Sequence, residues 1–211
     1  MKEKIILIPI VICLSLITVC CTNGKKHKVD NQSDVITVSD TKDTLAVQQD
    51  TIVEEKIVFI ENWEQYKTIE ELVEYQDFKN NVLYIDLWGV YCGPCVKEFS
   101  YTKDLKARYK DKPVKFVYIC DGPDTASIKR KDILDPKLIM EQWKTIIYKF
   151  ELEGYHIPKS RSMHRSIMSI KGFKGTMSPN YILVNKNGVI LPNAPRPSSG
   201  DKLYQKIDEL L

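Results

Sequence analysis

Apolar residues in this chain occur either in short unbroken runs, which are typical of buried strands, or at intervals of three and four, which are typical of helices lying on a sheet. Strand-like runs cover residues 51–60, 82–88, 114–120, 181–184 and 188–191. The last two flank an Asn-Lys-Asn-Gly sequence at 185–188, which predicts a hairpin with an Asn-Gly turn. The pattern therefore predicts a sheet whose last part is an antiparallel hairpin.

Helix-like intervals fill the gaps between these runs. Helices are predicted at residues 92–110, 135–154, 164–170 and 203–211. Thr68 and Glu71 form a capping-box pattern for a further short helix, and Asp135 followed by proline supplies a cap and a first-turn proline. We expect Gly154 to end the helix that Asp135 begins. The helix at 92–110 would join its two flanking strands in a right-handed β-α-β unit, which makes those strands parallel.

The N-terminal residues predict export of the chain. Residues 1–4 carry charge, and residues 5–19 are almost wholly apolar, which is the layout of a signal peptide. A helix of that length rises only about 22 Å, short of the roughly 30 Å hydrocarbon core of a bilayer. We therefore expect a cleaved signal in place of a retained membrane span.

The apolar run ends in Ile-Thr-Val-Cys-Cys at 17–21, which resembles the lipobox of bacterial lipoproteins, where a cysteine is lipidated and becomes the new N-terminus. Cys20 or Cys21 would then be the lipid anchor. Ile17 favours cleavage before Cys20, whereas the small Cys20 favours cleavage before Cys21, which we prefer. An ordinary signal peptide with incidental cysteines stays open. The expected location is a bacterial membrane, on its periplasmic or outer face, with residues 1–21 as the signal.

Residues 22–51 predict a flexible tether, and residues 52–211 predict one domain. The first segment is rich in Lys, Asp, Gln, Asn, Ser and Thr and contains no aromatic residue. The second is long enough for one hydrophobic core and short for two. The chain has a formal net charge of +3 with its charges interspersed, so the composition gives no support for nucleic-acid binding.

The six cysteines fall into three groups: Cys13, Cys20 and Cys21 in the export segment, Cys92 and Cys95 three positions apart, and Cys120 alone in a strand-like run. No cysteines are left for a framework of structural disulfides, so the close pair is better explained by chemistry than by stapling. A zinc site would need a second ligand pair, and His156 and His164 lie apart. We therefore expect no metal and no cofactor, and we expect Cys120 to be a small apolar strand residue.

The pair stands in Cys92-Gly93-Pro94-Cys95, which directly follows a strand-like run and opens a helical one. Two cysteines at the first turn of a helix can close a small disulfide, and the helix N-terminus places unpaired N–H groups beside the first sulfur. This setting favours the thiolate, which is the reactive form of cysteine. The motif therefore predicts a redox-active dithiol.

The motif and the order of elements resemble the thioredoxin fold, specifically the exported TlpA/ResA-like thiol-disulfide oxidoreductases. The strongest part is Asp-Leu-Trp-Gly-Val-Tyr-Cys-Gly-Pro-Cys at 86–95, with weaker support from 181–188 and from Ala-Pro-Arg-Pro-Ser at 194–198. The resemblance covers nearly all of residues 52–211. It implies an α/β domain with a central mixed sheet flanked by helices, and with the 135–154 helix inserted before a cis-proline hairpin.

The resemblance also implies roles for residues of the site. Cys92 would be the exposed nucleophile, Cys95 the buried resolving thiol, and Pro179 the cis-proline that faces them. A cis bond before proline turns the chain sharply and presents backbone groups that can pair with an extended substrate. The substrate would contact four residues, namely Tyr91, Pro94, Ser178 and Pro179.

Two acidic residues are candidates for proton transfer by the same resemblance. Asp86 resembles the buried carboxylate that accepts a proton from the resolving thiol. Glu98 resembles the acidic residue of the Cys-x-x-Cys-x-x-Glu pattern in ResA-like proteins. Two alternatives stay open, with Asp86 as an ordinary polar strand residue and Glu98 as a first-turn residue that complements the helix dipole.

The predicted activity is reduction of disulfides in exported proteins. Gly-Pro between the cysteines matches thioredoxin, a reductant with a potential of about −270 mV, whereas the oxidant DsbA lies at about −120 mV. The resemblance implies a membrane thiol-relay protein of the DsbD/CcdA type as electron donor and substrates such as apocytochrome c. Two alternatives stay open: a disulfide oxidase or isomerase on the same fold, and a non-catalytic module that binds metal or peptide.

Overall fold

The β-strands form one mixed sheet. The computed structural model describes residues 57–122 and 135–211. Within these ranges six strands are present: β1 (Ile57–Phe59), β2 (Val82–Trp88), β3 (Val114–Asp121), β4 (Gly154–Lys159), β5 (Asn180–Val184) and β6 (Ile190–Pro192). Their order is β1-β4-β3-β2-β5-β6. The predicted signal at 1–21, its anchor cysteine, the tether at 22–51 and the first part of the strand run at 51–60 lie outside the described residues.

Strand directions confirm the predicted thioredoxin-like α/β fold. β1, β4, β3 and β2 run parallel to one another, whereas β5 is antiparallel to both β2 and β6. The connection from β2 to β3 is therefore the predicted parallel β-α-β unit. The hairpin turn is confirmed as well, since Gly188 has a φ of 78° and the Asn185 side chain accepts hydrogen bonds from the backbone of Asn187 and Val189.

Six α-helices surround the sheet in the described part of the chain: α1 (Ile69–Val73), α2 (Gly93–Glu98), α3 (Thr102–Tyr109), α4 (Pro136–Lys149), α5 (Arg161–Ser169) and α6 (Asp201–Asp208). Both predicted start signals are confirmed. Thr68 and Glu71 form a reciprocal capping box, and the Asp135 side chain accepts a hydrogen bond from the backbone N–H of Lys137. Among these helices none combines the length and apolar character needed to cross a bilayer.

Alternation along β2 divides the core between the two faces of the sheet. Leu83, Ile85 and Leu87 pack on one face with residues of α1 and α5. Val82 and Tyr84 pack on the other face with α3 and α6, and Trp88 packs there with α2 and α4. Successive strand residues point to opposite faces, so Asp86 shares the face of Tyr84 and Trp88. A carboxylate therefore lies beneath the helices that follow the Cys-Gly-Pro-Cys motif.

The single helix predicted at 92–110 is two helices. A 3-10 turn at Phe99–Tyr101 separates α2 from α3, and the Thr102 hydroxyl donates a hydrogen bond to the carbonyl of Phe99. The tighter turn changes the direction of the buried face, which is why the two halves pack in different clusters. Cys95 and Phe99 pack with Trp88, whereas Leu105 and Tyr109 pack with the opposite end of β2.

The prediction that Gly154 ends the preceding helix is wrong. Helix α4 ends at Lys149, and Gly154 is the first residue of β4, a strand that the sequence pattern did not predict. β4 lies between β1 and β3. Gly154 has a φ of 130°, and a Cβ atom there would lie 2.5 Å from the carbonyl oxygen of Phe116. The glycine is therefore required by close packing against β3, and Pro158 further hid the strand because proline is rare inside sheets.

Candidate active site

The Cys-Gly-Pro-Cys motif forms a disulfide at the start of α2. Cys92 is the N-cap residue of that helix, and its sulfur lies 2.05 Å from the sulfur of Cys95. The backbone N–H of Cys92 donates to the carbonyl of Gly89, so the turn after β2 sets its position. Cys95 is fully buried, whereas Cys92 is partly exposed. This burial pattern is the one expected for an accessible attacking sulfur and a shielded resolving sulfur.

An open groove of about 770 Å³ runs past Cys92. Its walls come from the turn after β2, the start of α2, helix α5 and the segment at 173–180. Three of the predicted substrate-contacting residues line it, namely Tyr91, Pro94 and Ser178. Tyr91 and Met177 are strongly exposed there, at 48% and 82% of their full surface. The dithiol is thus accessible from a groove large enough for a peptide side chain and its neighbours.

The bond between Ser178 and Pro179 is cis, as predicted. Ser178 and Asn180 line the groove on either side of Pro179. The Asn180 side chain donates a hydrogen bond of 2.6 Å to the carbonyl of Met177, which holds the turn before β5. Pro179 itself is not among the described residues that line the groove, so its contact with a substrate stays a prediction.

The ionisable groove residues Asp121, Lys159 and His164 were missed as site residues. Asp121 and Lys159 form an ion pair of 2.7 Å, in which the lysine side chain is only 7% exposed. Burial and the nearby Lys159 lower the pKa of His164, and Asp121 opposes that shift. Asp121 ends β3 and Lys159 ends β4. Both therefore lie at the carboxyl ends of the parallel strands, the same side of the sheet from which β2 continues to Cys92. Recognising β4 as a parallel strand would have found them, because the carboxyl ends of parallel strands share an edge.

Asp86 is buried beneath the helices, with 2% of its surface exposed. Neither carboxylate oxygen has a hydrogen-bond partner among the described residues. Burial raises the pKa of Asp86 well above its ordinary value, the negative charge of Glu98 raises it further, and Lys106 lowers it. A carboxyl group in this environment holds its proton at higher pH than a surface carboxyl does. The location agrees with the predicted proton acceptor, and its role stays a prediction.

Glu98 is the last residue of α2, so the alternative that it complements the dipole in the first turn is wrong. Its carboxylate accepts hydrogen bonds of 2.9 Å from the backbone N–H and from the hydroxyl of Ser198. The guanidinium of Arg196 lies 3.7 Å away. Glu98 therefore connects α2, which we call the redox helix because Cys92 caps it, to the Ala-Pro-Arg-Pro-Ser segment. It is not among the described residues that line the groove, and its catalytic role stays a prediction.

Sequence reasoning missed Lys106 on α3. Its ammonium is buried without a hydrogen-bond partner in the described parts of the chain, 5.1 Å from the centre of the Tyr118 ring. Burial lowers the pKa of Lys106 to about 7, against the opposing charges of Glu153 and Asp86. Helical spacing could have indicated its burial, because residues three and four apart lie on the same face of a helix. Lys106 lies four positions after the buried Thr102 and three before the buried Tyr109.

Cys120 is a buried free thiol on β3. It packs with Trp88 and Cys95 in the cluster beneath the redox helix. Burial raises its pKa well above the ordinary thiol value, and the charge of Asp121 acts in the same direction. The expectation of a small packed strand residue is confirmed.

Comparison with known proteins gives the family. A sequence profile described as Redoxin matches residues 62–206. The chain belongs to the Redoxin family. This match contains the Cys-Gly-Pro-Cys motif, the groove and the cis-proline.

Individual members of the Redoxin family show the same likeness locally. The chain is 34% identical over 71 residues to the thiol-disulfide oxidoreductase ResA of Bacillus thuringiensis subsp. konkukian, covering 32% of this chain and 41% of the relative. It is 30% identical over 79 residues to a ResA of Bacillus cereus, covering 35% of this chain and 45% of the relative. The chain therefore spans less than half the length of these curated relatives.

Solved structures with similar chains include two from Bacteroides. A thiol-disulfide oxidoreductase of Bacteroides fragilis NCTC 9343 is 23% identical with a TM-score of 0.47, covering 66% of this chain and 88% of that chain. A thiol:disulfide interchange protein of Bacteroides sp. is 22% identical with a TM-score of 0.46, covering 63% and 74% respectively.

Replacing Asp86 is expected to change how stability depends on pH. Because its pKa is raised by folding, the folded protein keeps a proton that the unfolded chain loses at lower pH, and stability falls as pH rises between the two pKa values. Asp86→Asn abolishes this penalty. In urea denaturation, we expect the free energy of unfolding of the variant to rise relative to that of the wild type by up to about 1.4 kcal/mol per pH unit within that window. The difference should be small at about pH 4.

Asp104→Asn is the matched control, since Asp104 is an exposed residue of α3. It should show no gain of this size. A stability difference between Asp86→Asn and the wild type that is constant from about pH 4 to about pH 8 would contradict the assignment.

Proposed function

We propose that the protein is an extracytoplasmic thiol-disulfide oxidoreductase that reduces disulfides in exported proteins. The observation that carries the proposal is a disulfide with one sulfur at an open groove and the other buried, opposite a cis-proline turn. Family membership and the ResA relatives support the same reaction.

The proposed reaction is two successive thiol–disulfide exchanges. The Cys92 thiolate attacks one sulfur of a substrate disulfide, so that a mixed disulfide forms and the other substrate sulfur leaves as a thiolate that takes up a proton. The Cys95 thiol then gives its proton to Asp86, and its thiolate attacks the Cys92 sulfur. The Cys92–Cys95 disulfide forms, and the second substrate sulfur leaves. The substrate gains two electrons, and the protein ends in the oxidised form observed here.

Repeated turnover requires a thiol donor that reduces the Cys92–Cys95 disulfide. We propose a membrane thiol-relay protein of the DsbD/CcdA type as this partner, by the family resemblance. The proposed substrates are exported proteins with disulfides, apocytochrome c among them. The groove supports a protein substrate, since its volume of about 770 Å³ has room for more than one side chain beside Cys92.

The proposed location follows from the N-terminal sequence. Cleavage within the lipobox-like segment would leave a lipid on Cys21 or Cys20, and the polar residues up to 51 would separate the domain from the membrane. A tethered reductase meets both its membrane electron donor and exported substrates.

Cys95→Ser is expected to trap the mixed disulfide. Cys92 can still attack, but serine cannot resolve the adduct, so reaction with oxidised glutathione should leave one glutathione attached to each molecule in intact mass spectrometry. Dithiothreitol should remove it. Cys92→Ser is the control. With Cys13, Cys20 and Cys21 replaced by serine in both variants, it should give little adduct, because Cys95 and Cys120 are buried. Absence of the adduct on Cys95→Ser would count heavily against the mechanism.

The reduction potential of the Cys92/Cys95 couple is expected to lie below about −220 mV, in the range of reductants. It can be measured by equilibrating the protein with glutathione buffers and counting free thiols. A value above about −170 mV would favour an oxidase or isomerase. Failure of any two-electron couple to titrate would favour the non-catalytic alternative.

Lipidation is expected to depend on the cysteine at the end of the apolar run. Cells fed a tagged fatty acid should label the wild type and Cys13→Ser, and should not label Cys21→Ser. Cys20→Ser should keep the label, because serine is also small at the cleavage position. Loss of the label only in Cys20→Ser would assign the anchor to Cys20. Label on the variant that carries both Cys20→Ser and Cys21→Ser would exclude both cysteines as the anchor.

A further inference from the structure

Buried polar atoms without hydrogen-bond partners gather beneath the redox helix. Within the described residues they include both carboxylate oxygens of Asp86, the ammonium nitrogen of Lys106 and the hydroxyl of Tyr181. Buried polar groups in proteins are nearly always hydrogen-bonded, so each of these exceptions needs an explanation.

Tyr118 places the carboxylate and the ammonium close together. Asp86 on β2 is the parallel register partner of Tyr118 on β3, and their side chains lie on the same face of the sheet. The Lys106 nitrogen reaches the same ring from α3, 5.1 Å from its centre, and lies 5.9 Å from the centre of the Phe116 ring. The ammonium therefore approaches Asp86 through aromatic surroundings, where little solvent screens the charges.

The titratable groups that face the pair come from every neighbouring element. They are Tyr84 on β2, Glu98 on α2, Tyr118 on β3, Glu153 and His156 at β4, and Tyr181 on β5. Burial and Glu98 raise the pKa of Asp86, and Lys106 is the group that lowers it. Reciprocally, Asp86 raises the pKa of Lys106 against the effect of burial.

We infer that Lys106 is a positioning residue for the proposed reaction, whose buried ammonium keeps the Asp86 carboxylate available to accept the proton of the Cys95 thiol. The inference rests on the proposed function. Glu98 cannot supply this effect, because it is negative and its oxygens are already held by Ser198. Ionisable groups whose pKa values are shifted by burial and by a specific charge partner cluster at functional sites.

Proton transfer is balanced in both directions of the cycle. When the mixed disulfide is resolved, Cys95–SH becomes a thiolate and Asp86–COO⁻ becomes Asp86–COOH. When a donor thiolate attacks Cys92 and opens the Cys92–Cys95 disulfide, Cys95 leaves as a thiolate and recovers the proton from Asp86. Lys106 forms and breaks no bond, and it acts through its charge on Asp86.

The test separates the two exchanges with 5,5′-dithiobis(2-nitrobenzoate) as substrate disulfide. Cys13, Cys20 and Cys21 are replaced by serine in every variant, so that they release no thionitrobenzoate. The reduced protein should then release one thionitrobenzoate when Cys92 attacks and a second when Cys95 resolves the adduct. In stopped-flow absorbance over a range of pH, we expect Lys106→Met to move the midpoint of the second phase about one unit higher and to slow that phase about tenfold near neutral pH. The first phase should be nearly unchanged.

Three further variants decide the interpretation. Lys103→Met removes an exposed lysine of the same helix and should leave both phases unchanged. Lys106→Arg keeps a positive charge and should keep the second-phase midpoint below that of Lys106→Met. In an Asp86→Asn background, Lys106→Met should cause no further slowing, because the lysine acts through Asp86. Denaturation midpoints of all variants show that they are folded.

Several outcomes would overturn the inference. One is a second phase in Lys106→Met with the wild-type pH midpoint, and another is equal slowing with and without Asp86. A Lys106→Arg profile that matches Lys106→Met would also overturn it, since charge would then not be the cause. If the wild type releases no second thionitrobenzoate, the proposed function itself fails and the inference with it, whereas altered profiles confined to Lys106 variants leave the function intact.

Discussion

Burial of β2 on both faces is the constraint on which the site depends. All seven residues of this strand are buried, and it is hydrogen-bonded to β3 on one edge and β5 on the other. A strand held on four sides has a fixed direction and register. The strand therefore ends at a fixed position, at Trp88. One turn later comes Cys92, the N-cap residue of α2. The core thus fixes where β2 ends, and the turn after β2 sets the position of Cys92 beside that end.

The same strand explains why two nearby carboxylates differ. Glu98 accepts two hydrogen bonds from Ser198 and lies near Arg196, so donors and a cation stabilise its charge. Asp86 lies in the row of Tyr84 and Trp88 and has no hydrogen-bond donor among the described residues. Environment thus links Glu98 to the Ala-Pro-Arg-Pro-Ser segment and makes Asp86 suited to holding and releasing a proton. The negative charge of Glu98 also raises the pKa of Asp86.

Local patterns predicted most of the fold and the reactive sulfurs. The capping box at Thr68 and the full length of β2 depend on short stretches of sequence, and both are confirmed. The cis bond before Pro179 was implied by the family resemblance, and it is confirmed as well. β4 was missed because Gly154 and Pro158 are signals for loops, and their acceptance in a strand depends on packing with β3. Lys106 was missed because a lysine beside an apolar stripe usually extends to solvent.

The motif segment contains the sulfurs and the buried carboxylate, whereas part of the groove depends on β4, the strand that the sequence pattern did not predict. Cys92, Cys95 and Asp86 lie within a short sequence that ends β2 and begins α2, so one segment contains the groups to which the proposed reaction assigns the electrons and the proton. The groove walls come from the ends of β3 and β4, from α5 and from the segment before β5. These elements bring the Asp121–Lys159 ion pair, His164 and the exposed Met177 to the groove that Cys92 lines. In the proposed reaction every disulfide presents the same two sulfurs to Cys92, so selection among substrates would act through these walls. The proposed reaction can thus be inferred from one segment of the chain, whereas substrate choice would depend on side chains that only the folded sheet brings together.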